Sequence, residues 1–230
     1  MSIGYDKFPL NFQQILSLDC RRATGTVLDD IAKAHHPTVG IGATFAWIQL
    51  ASGLWVVDMT SATPDYVRIL QADSVDMNFT TQAFSFAWWH NLDALGASQY
   101  PVARGVDSTD GYSILVGSNG MLYFRTSQAT VAQETTTAAG AVVAGIWEMW
   151  VVTRAGAVAK LYKNGSDVIS VAGSHINPAS AARNFYWGSY DAGGLPCDGK
   201  FSLLKCWSGK ALSATEVGRL FELERVWFGV

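Results

Sequence analysis

The sequence predicts an all-β sandwich of the jelly-roll kind with one short C-terminal helix. Three observations support this: many short strand patterns, a high aromatic content and a single clear helix start. The chain of 230 residues contains 9 Trp, 8 Tyr and 11 Phe, and aromatic side chains suit the half-buried surface of a sheet. Many strands with one helix are typical of a sandwich rather than of alternating βαβ units.

Strand patterns recur along the chain. In residues 84–88, F-S-F-A-W, large aromatic side chains alternate with small residues, as in a strand with one buried face. Residues 147–154 also alternate, but both faces are apolar, which indicates a central strand. Glycine-containing turns predict two hairpins, one around residues 117–120 and one through Asn164-Gly165.

One helix start is clear. Ser213 and Glu216 have the S-x-x-E spacing of a capping box. Val217, Leu220 and Phe221 follow at helical spacing. The sequence therefore predicts one helix near the C-terminus.

Composition excludes several classes of protein. Hydrophobic residues make up 49% and charged residues 15% of the chain, so a packed core is expected rather than disorder. With a net charge of −3 and no basic block, we expect no nucleic-acid partner. No apolar run approaches the roughly 20 residues that span a bilayer, so we expect no membrane insertion.

The N-terminus and the cysteines bear on the compartment. The first twenty residues lack the pattern of a signal peptide, so we expect synthesis in a cytoplasm without export by the usual route. An odd count of three cysteines, Cys20, Cys197 and Cys206, then favours small buried hydrophobic residues over a disulfide framework. A Cys197–Cys206 bridge is expected only in an oxidising medium.

Several motifs, in order, resemble laminin-G-like or concanavalin A-like modules. The most specific are L-Y-x-N-G at residues 161–165 and A-L-S-x-x-E-V at residues 211–217, which follow F-x-F-x-W at residues 84–88 and G-x-W at residues 145–147. The resemblance extends roughly from residue 10 to residue 225. It implies a concanavalin A-like jelly roll forming one domain over residues 1–230.

The carboxylate pattern of glycosidases on this fold is missing. Those enzymes carry a motif similar to E-x-D-x-x-E on one strand, where the period of two places alternate carboxylates on the same face of the sheet. This chain has five glutamates, none with an Asp two residues later: Glu134, Glu148, Glu216, Glu222 and Glu224. We therefore expect no enzymatic activity.

One acidic loop suggests a metal. Asp107 and Asp110 lie in D-S-T-D-G, and calcium prefers several oxygen ligands on a flexible loop. Laminin-G-like modules sometimes bind calcium at the rim of the sandwich, so the resemblance makes these two residues the candidate ligands. Plain turn chemistry is the alternative for Asp and Gly in such a loop. Calcium is the one cofactor that we consider.

Two aromatic features suggest binding. Trp88 and Trp89 are consecutive, so one points outward, and we take Trp89 as a candidate ligand-binding residue that stacks on a sugar. Packing beneath a neighbouring loop or strand is the alternative. The C-terminal V-W-F-G-V, residues 226–230, makes Trp227 and Phe228 candidate interface residues, unless the tail docks on its own domain.

Three functions remain. We expect a non-catalytic phage virion surface component, a capsid-decoration or tail-associated protein, which is assembled in the host cytoplasm. It would act as a homo-oligomer, for example a trimer, or on virion proteins. The alternative is a lectin-like module that binds carbohydrate, with surface glycans as partners. A divergent glycosidase is the least favoured hypothesis.

Overall fold

A computed structural model describes residues 10–20, 30–32, 35, 37–39 and 46–230. In chain order, the elements are β1 (Gln14–Ser17), β2 (Thr38–Val39), β3 (Ala46–Gln49), β4 (Trp55–Met59), β5 (Val67–Ile69), β6 (Phe84–Leu92), β7 (Gln99–Val106), β8 (Asp110–Val116), β9 (Leu122–Gln128), β10 (Val131–Thr137), β11 (Glu148–Ala155), β12 (Val158–Lys163), β13 (Ser166–Asp167), β14 (Ile169–Val171), β15 (Phe185–Trp187), β16 (Gly199–Ser208) and α1 (Ala214–Phe228). Two short 3₁₀ turns, Gln71–Asp73 and Val75–Met77, precede β6.

The strands form two antiparallel sheets. The first sheet has the order β13-β12-β11-β6-β16-β4-β3, and β1 pairs with β16 as well. The second sheet has the order β14-β10-β9-β8-β7-β15-β5-β2. Strands from both ends of the chain therefore share the first sheet, and the predicted all-β sandwich with one C-terminal helix is confirmed. No helix in the described part of the chain is long and apolar enough to cross a membrane.

The main core lies between the two sheets. Alternation along β6 directs Phe84, Phe86 and Trp88 into it, where Trp150 and Trp187 also lie with no exposed surface. Burying one such side chain stabilises the fold by roughly 1.5–3 kcal/mol. All three cysteines are also buried, Cys20 at 3% and Cys197 and Cys206 at 0% exposure.

A second core lies between the first sheet and α1. Trp89, Met149 and Val151 point away from the main core and are covered by Val217 and Leu220 of the helix. The two apolar faces of β11 are thereby explained, since one faces the second sheet and the other faces the helix. Its central position between β6 and β12 is confirmed.

The predicted turns and the helix start are confirmed. The Ser213 hydroxyl accepts a hydrogen bond from the Glu216 N–H at 3.3 Å, and the Glu216 carboxylate accepts one from the Ser213 N–H at 2.9 Å. Asn164 and Gly165 have φ of 48° and 85° between β12 and β13, as an Asn-Gly hairpin turn requires. Gly229 ends α1 with φ of 72°.

Candidate functional site

The predicted site residues lie in two separate places. Trp89, Trp227 and Phe228 gather at the C-terminal end of α1, where that helix crosses the first sheet. Asp107 and Asp110 belong to the second sheet, at the turn between β7 and β8. The structure therefore does not combine the predicted aromatic and acidic residues into one site.

Trp89 is buried, which corrects the prediction that it binds a ligand. Its exposed fraction is 0%, and its ring stacks on Phe228 at 4.1 Å and on Phe221 at 5.9 Å. The indole Nε1 donates to a Glu224 carboxylate oxygen at 2.8 Å. Trp88 and Trp89 do point to opposite faces, but α1 covers the outer face, so a sugar cannot stack there.

Phe228 is also part of the core, which corrects its predicted role in an interface. Its exposed fraction is 7%, and its ring lies 4.1 Å from that of Trp89 and 4.7 Å from that of Trp147. Residues 226–228 are the last turn of α1 rather than a free tail. Phe228 therefore fastens the helix to its own sheet, which was the alternative to an intermolecular contact.

Trp227 points elsewhere and remains 46% exposed. Its carbonyl oxygen accepts a hydrogen bond from the Ser52 hydroxyl at 2.5 Å. Ser52 lies in the turn between β3 and β4, so this bond ties the last turn of α1 to that turn. The backbone of Trp227 is thus held in place, while its indole has a large accessible surface.

A cavity of about 830 Å³ opens beside Trp227. We call it the helix-edge pocket; its described lining includes the apolar Leu54, Leu203 and Trp227 together with Ser52 and Asp19. This volume lies within the roughly 300–1,000 Å³ of small-molecule sites. The mixture of an aromatic surface with hydroxyl and carboxylate groups suits a polar ligand that has an apolar face.

A bulge in β16 shapes one wall of the helix-edge pocket. The pairing of β16 with β6 shifts register between Ser202 and Lys205, and Leu203 has φ of 51°. A bulge redirects the side chains beside it. Leu203 and Lys205 both reach the pocket, whereas Leu204 lies in the main core.

Two charged residues of the described lining, Lys205 and Glu224, form an ion pair. Lys205 Nζ lies 2.5 Å from Glu224 Oε1, and the two side chains are only 15% and 12% exposed. Glu224 Oε2 accepts the bond from Trp89, so both oxygens of this carboxylate are engaged. Burying the two charges is tolerated because they are paired and hydrogen-bonded.

Asp107 is held by neighbouring side chains. Its Oδ2 accepts hydrogen bonds from the Tyr100 hydroxyl at 2.9 Å and from Arg125 Nη1 at 2.8 Å. Its Oδ1 accepts one from the Ser113 hydroxyl at 2.8 Å. A cation at this carboxylate would have to displace a guanidinium that already neutralises it.

Asp110 stabilises the turn between β7 and β8. Its Oδ1 accepts the Val106 N–H at 2.7 Å across the turn that joins β7 and β8. No group of three or more His, Cys, Asp or Glu side chains among the described residues has an arrangement that could hold a metal. The structure therefore does not support the predicted calcium site at Asp107 and Asp110, and turn chemistry with an ion pair explains both residues.

A polar and aromatic cluster surrounds Asp107 on the outer face of the second sheet. Arg125 Nε lies 2.5 Å from Glu134, and the guanidinium lies 5.6 Å from the centre of the Tyr123 ring. Register alone brings these residues together, since Arg125 on β9 pairs opposite Glu134 on β10. No sequence motif marks this cluster, so it could not be predicted from the sequence.

Glu148 is not placed to act on a substrate. Its side chain has no exposed surface, and its oxygens are bound by Lys163 Nζ at 2.6 Å and by Trp150 Nε1 at 3.0 Å. Burial by itself raises the pKa of Glu148, but His90 and Lys163 outweigh that effect and hold the pKa below its ordinary value. Glu148 is therefore a charged structural residue at the end of the main core.

Comparison with known proteins agrees with this architecture. The sequence profile of the concanavalin A-like lectin/glucanases superfamily, Laminin_G_3, matches residues 62–218. No curated protein matches the chain. Among solved structures, the binding domain of botulinum neurotoxin DC in complex with SialylT has a similar fold, with a TM-score of 0.70 and 15% identity over 93% of this chain and 52% of that chain. The binding domain of Paraclostridial Mosquitocidal Protein 1 is also similar, with a TM-score of 0.71 and 15% identity over 92% of this chain and 52% of that chain.

A third similar structure is the binding domain of botulinum neurotoxin DC in complex with rat synaptotagmin II. Its TM-score is 0.70 at 14% identity, over 92% of this chain and 51% of that chain. This chain therefore spans about half the length of the solved structures that it matches. At this identity the likeness concerns the fold alone.

Proposed function

Because this chain belongs to the concanavalin A-like lectin/glucanases superfamily, we propose that it is a non-catalytic module that binds glycans. The observation that carries the proposal is the helix-edge pocket with the half-exposed Trp227 at its rim. The proposal favours the lectin-like alternative over the other functions expected from the sequence.

The lining of the helix-edge pocket matches the chemistry of a sugar. A sugar ring has an apolar C–H face that packs on an aromatic ring, and a Trp indole offers a large rigid surface for it. Its hydroxyl groups both donate and accept hydrogen bonds, so Ser52, Asn11 and the Asp19 carboxylate are suitable partners. The cavity has room for one or two sugar rings.

The surroundings of two glutamates, Glu148 and Glu224, favour binding over hydrolysis. Glycoside hydrolysis needs two carboxyl groups on either side of the scissile bond, one of which protonates the leaving group. Both Glu224 oxygens are engaged by Lys205 and Trp89, and Glu148 is buried. The similar solved structures are described as binding domains, which is the kind of role that we propose here.

The test is a glycan array followed by isothermal titration calorimetry with the purified protein. We expect Trp227→Ala to weaken binding at least tenfold, because it removes the stacking surface. Val226→Ala is the matched control, since Val226 is 66% exposed on the same helical turn and does not line the pocket. Absence of any glycan ligand, or equal binding by Trp227→Ala and wild type, would contradict the proposal.

A second candidate is the phage virion surface component expected from the sequence, and one observation favours it. Three exposed apolar residues, Leu223, Val226 and Trp227, follow helical spacing on one side of α1, with exposed fractions of 48%, 66% and 46%, and Val230, just beyond the end of the helix, is 41% exposed. Such a stripe suits contact with another copy or with a virion protein. Light scattering tests it: we expect an oligomer that Leu223→Glu dissociates, and a monomer at all concentrations would argue against it.

A further inference from the structure

We infer that Lys205 is the residue of the helix-edge pocket that determines which sugars bind, by donating hydrogen bonds to two neighbouring hydroxyl oxygens of the ligand. This inference rests on the proposed glycan-binding function. It goes beyond that proposal because it names the donor and the feature of the ligand that the donor recognises.

The Lys205 ammonium has unused hydrogen-bond donors. An ammonium group carries three N–H donors and no acceptor. In the part of the chain that the structure describes, Glu224 Oε1 at 2.5 Å is the one atom that accepts a hydrogen bond from this ammonium. The Lys205 side chain is only 15% exposed, and polar groups that are largely buried are normally hydrogen-bonded. Two N–H groups are therefore left for oxygen atoms of a ligand.

The ammonium is held in place from the core of the protein. The second oxygen of the Glu224 carboxylate, Oε2, accepts the Trp89 Nε1–H at 2.8 Å. Trp89 has no exposed surface and stacks on Phe228 at 4.1 Å, so its indole is fixed. A flexible lysine side chain normally loses rotamer freedom when a ligand orders it. Because Glu224 already orders Lys205, binding of a ligand incurs less of that loss.

Lys205 and Trp227 line the same pocket, and together they define the class of ligand. A sugar that packs its C–H face on the indole presents its hydroxyl groups at the edge of the ring. Two N–H groups on one nitrogen suit two acceptors that lie close together, as the oxygens on adjacent ring carbons do. We therefore expect ligands with two free hydroxyl groups on adjacent carbons, and weaker binding of sugars that lack one of them.

The experiment is a cycle of protein and ligand changes, measured by isothermal titration calorimetry with the tightest-binding oligosaccharide of the glycan array and its monodeoxy analogues. We expect Lys205→Met to weaken binding of the parent sugar at least tenfold, because it removes the donor and keeps an unbranched apolar side chain. Lys200→Met is the matched control and should bind within twofold of wild type. Lys200 also lies on β16 and pairs with Asp93 at 3.0 Å, but it does not line the pocket.

The deoxy analogues separate a direct contact from a structural role. Removal of either of two adjacent hydroxyl groups should weaken binding to wild type at least fivefold. The same removal should have no further effect on Lys205→Met, because the donor is already absent. A variant that merely distorts the pocket would not cancel the penalty at these two positions.

The outcomes distinguish the inference from the proposed function. Absence of any glycan ligand overturns both together. Unchanged binding by Lys205→Met, or analogues that lose as much affinity in this variant as in wild type, overturns the role of Lys205 and leaves glycan binding intact. If Lys205→Met does not fold or binds too weakly to measure, acetylation of wild-type lysines with detection by mass spectrometry decides. The parent sugar at saturation should slow acetylation of Lys205 at least fivefold and leave Lys200 unaffected, and equal rates at Lys205 with and without sugar would overturn the inference.

Discussion

Substitution of Phe228 tests whether the end of the chain is core or interface. Its ring is 7% exposed and packs on Trp89 and Trp147 at 4.1 Å and 4.7 Å. Phe→Ala in a core costs about 3–5 kcal/mol, and the lower value applies near a chain end, where the helix can relax. We therefore expect Phe228→Ala to lower the free energy of unfolding by about 3 kcal/mol.

The assay is thermal and urea denaturation followed by Trp fluorescence. For a chain of this size, 1 kcal/mol corresponds to about 2–4 °C, so Tm should fall by about 6–12 °C. Trp227→Ala is the neighbouring control: with 46% of the residue already exposed, it should cost no more than about 1.5 kcal/mol.

Opposite results would refute the argument. If Phe228→Ala melts like wild type but dissociates an oligomer in light scattering, the ring contacts a partner rather than its own sheet. A larger loss of stability in Trp227→Ala than in Phe228→Ala would show that the last turn of α1 is rotated from the arrangement described.

Three further predictions concern pH, calcium and thiol chemistry. Burial lowers the pKa of His35, but the neighbouring carboxylates of Asp30 and Asp76 outweigh this and raise it from 6.5 to about 9. Because a raised pKa favours the folded state, this stabilisation is complete below pH 6.5 and is lost as pH rises through about 9. Screening at the half-exposed Asp76 limits the loss to about 1–2 kcal/mol, which urea denaturation of wild type and His35→Gln will measure. Millimolar calcium should leave Tm unchanged relative to chelator, because Arg125 already neutralises Asp107; a rise in Tm that Asp107→Ala abolishes would restore the calcium site. The thiols should react with a thiol reagent only on unfolding, since burial raises the pKa of all three, that of Cys20 to about 11; rapid labelling of the native protein would show that they are accessible.

Local sequence signals predicted the elements well. The alternation in residues 84–88 and 147–154, the Asn164-Gly165 turn and the Ser213–Glu216 capping box all depend on residues close in the chain. Such signals act through backbone geometry that neighbouring residues impose, so they can be read without the fold. The ordered motifs then pointed to the correct superfamily.

The site residues were predicted less well, because their surroundings come from distant parts of the chain. The sequence showed that Trp88 and Trp89 face opposite ways, but not that a helix more than 120 residues later covers Trp89. It showed acidic residues in a turn, but not that Arg125 holds Asp107.

The sequence alone therefore determined the two-sheet fold, the turns, the helix and the superfamily. Only the tertiary structure decided that Phe228 is core while Trp227 remains exposed, and that Ser52, Lys205 and Glu224 meet beside it around one pocket. The physical reason is that periodicity fixes the side of an element on which a residue lies. What covers that side depends on long-range packing, so the adjacent residues Trp227 and Phe228, which point in different directions from the helix, differ in burial.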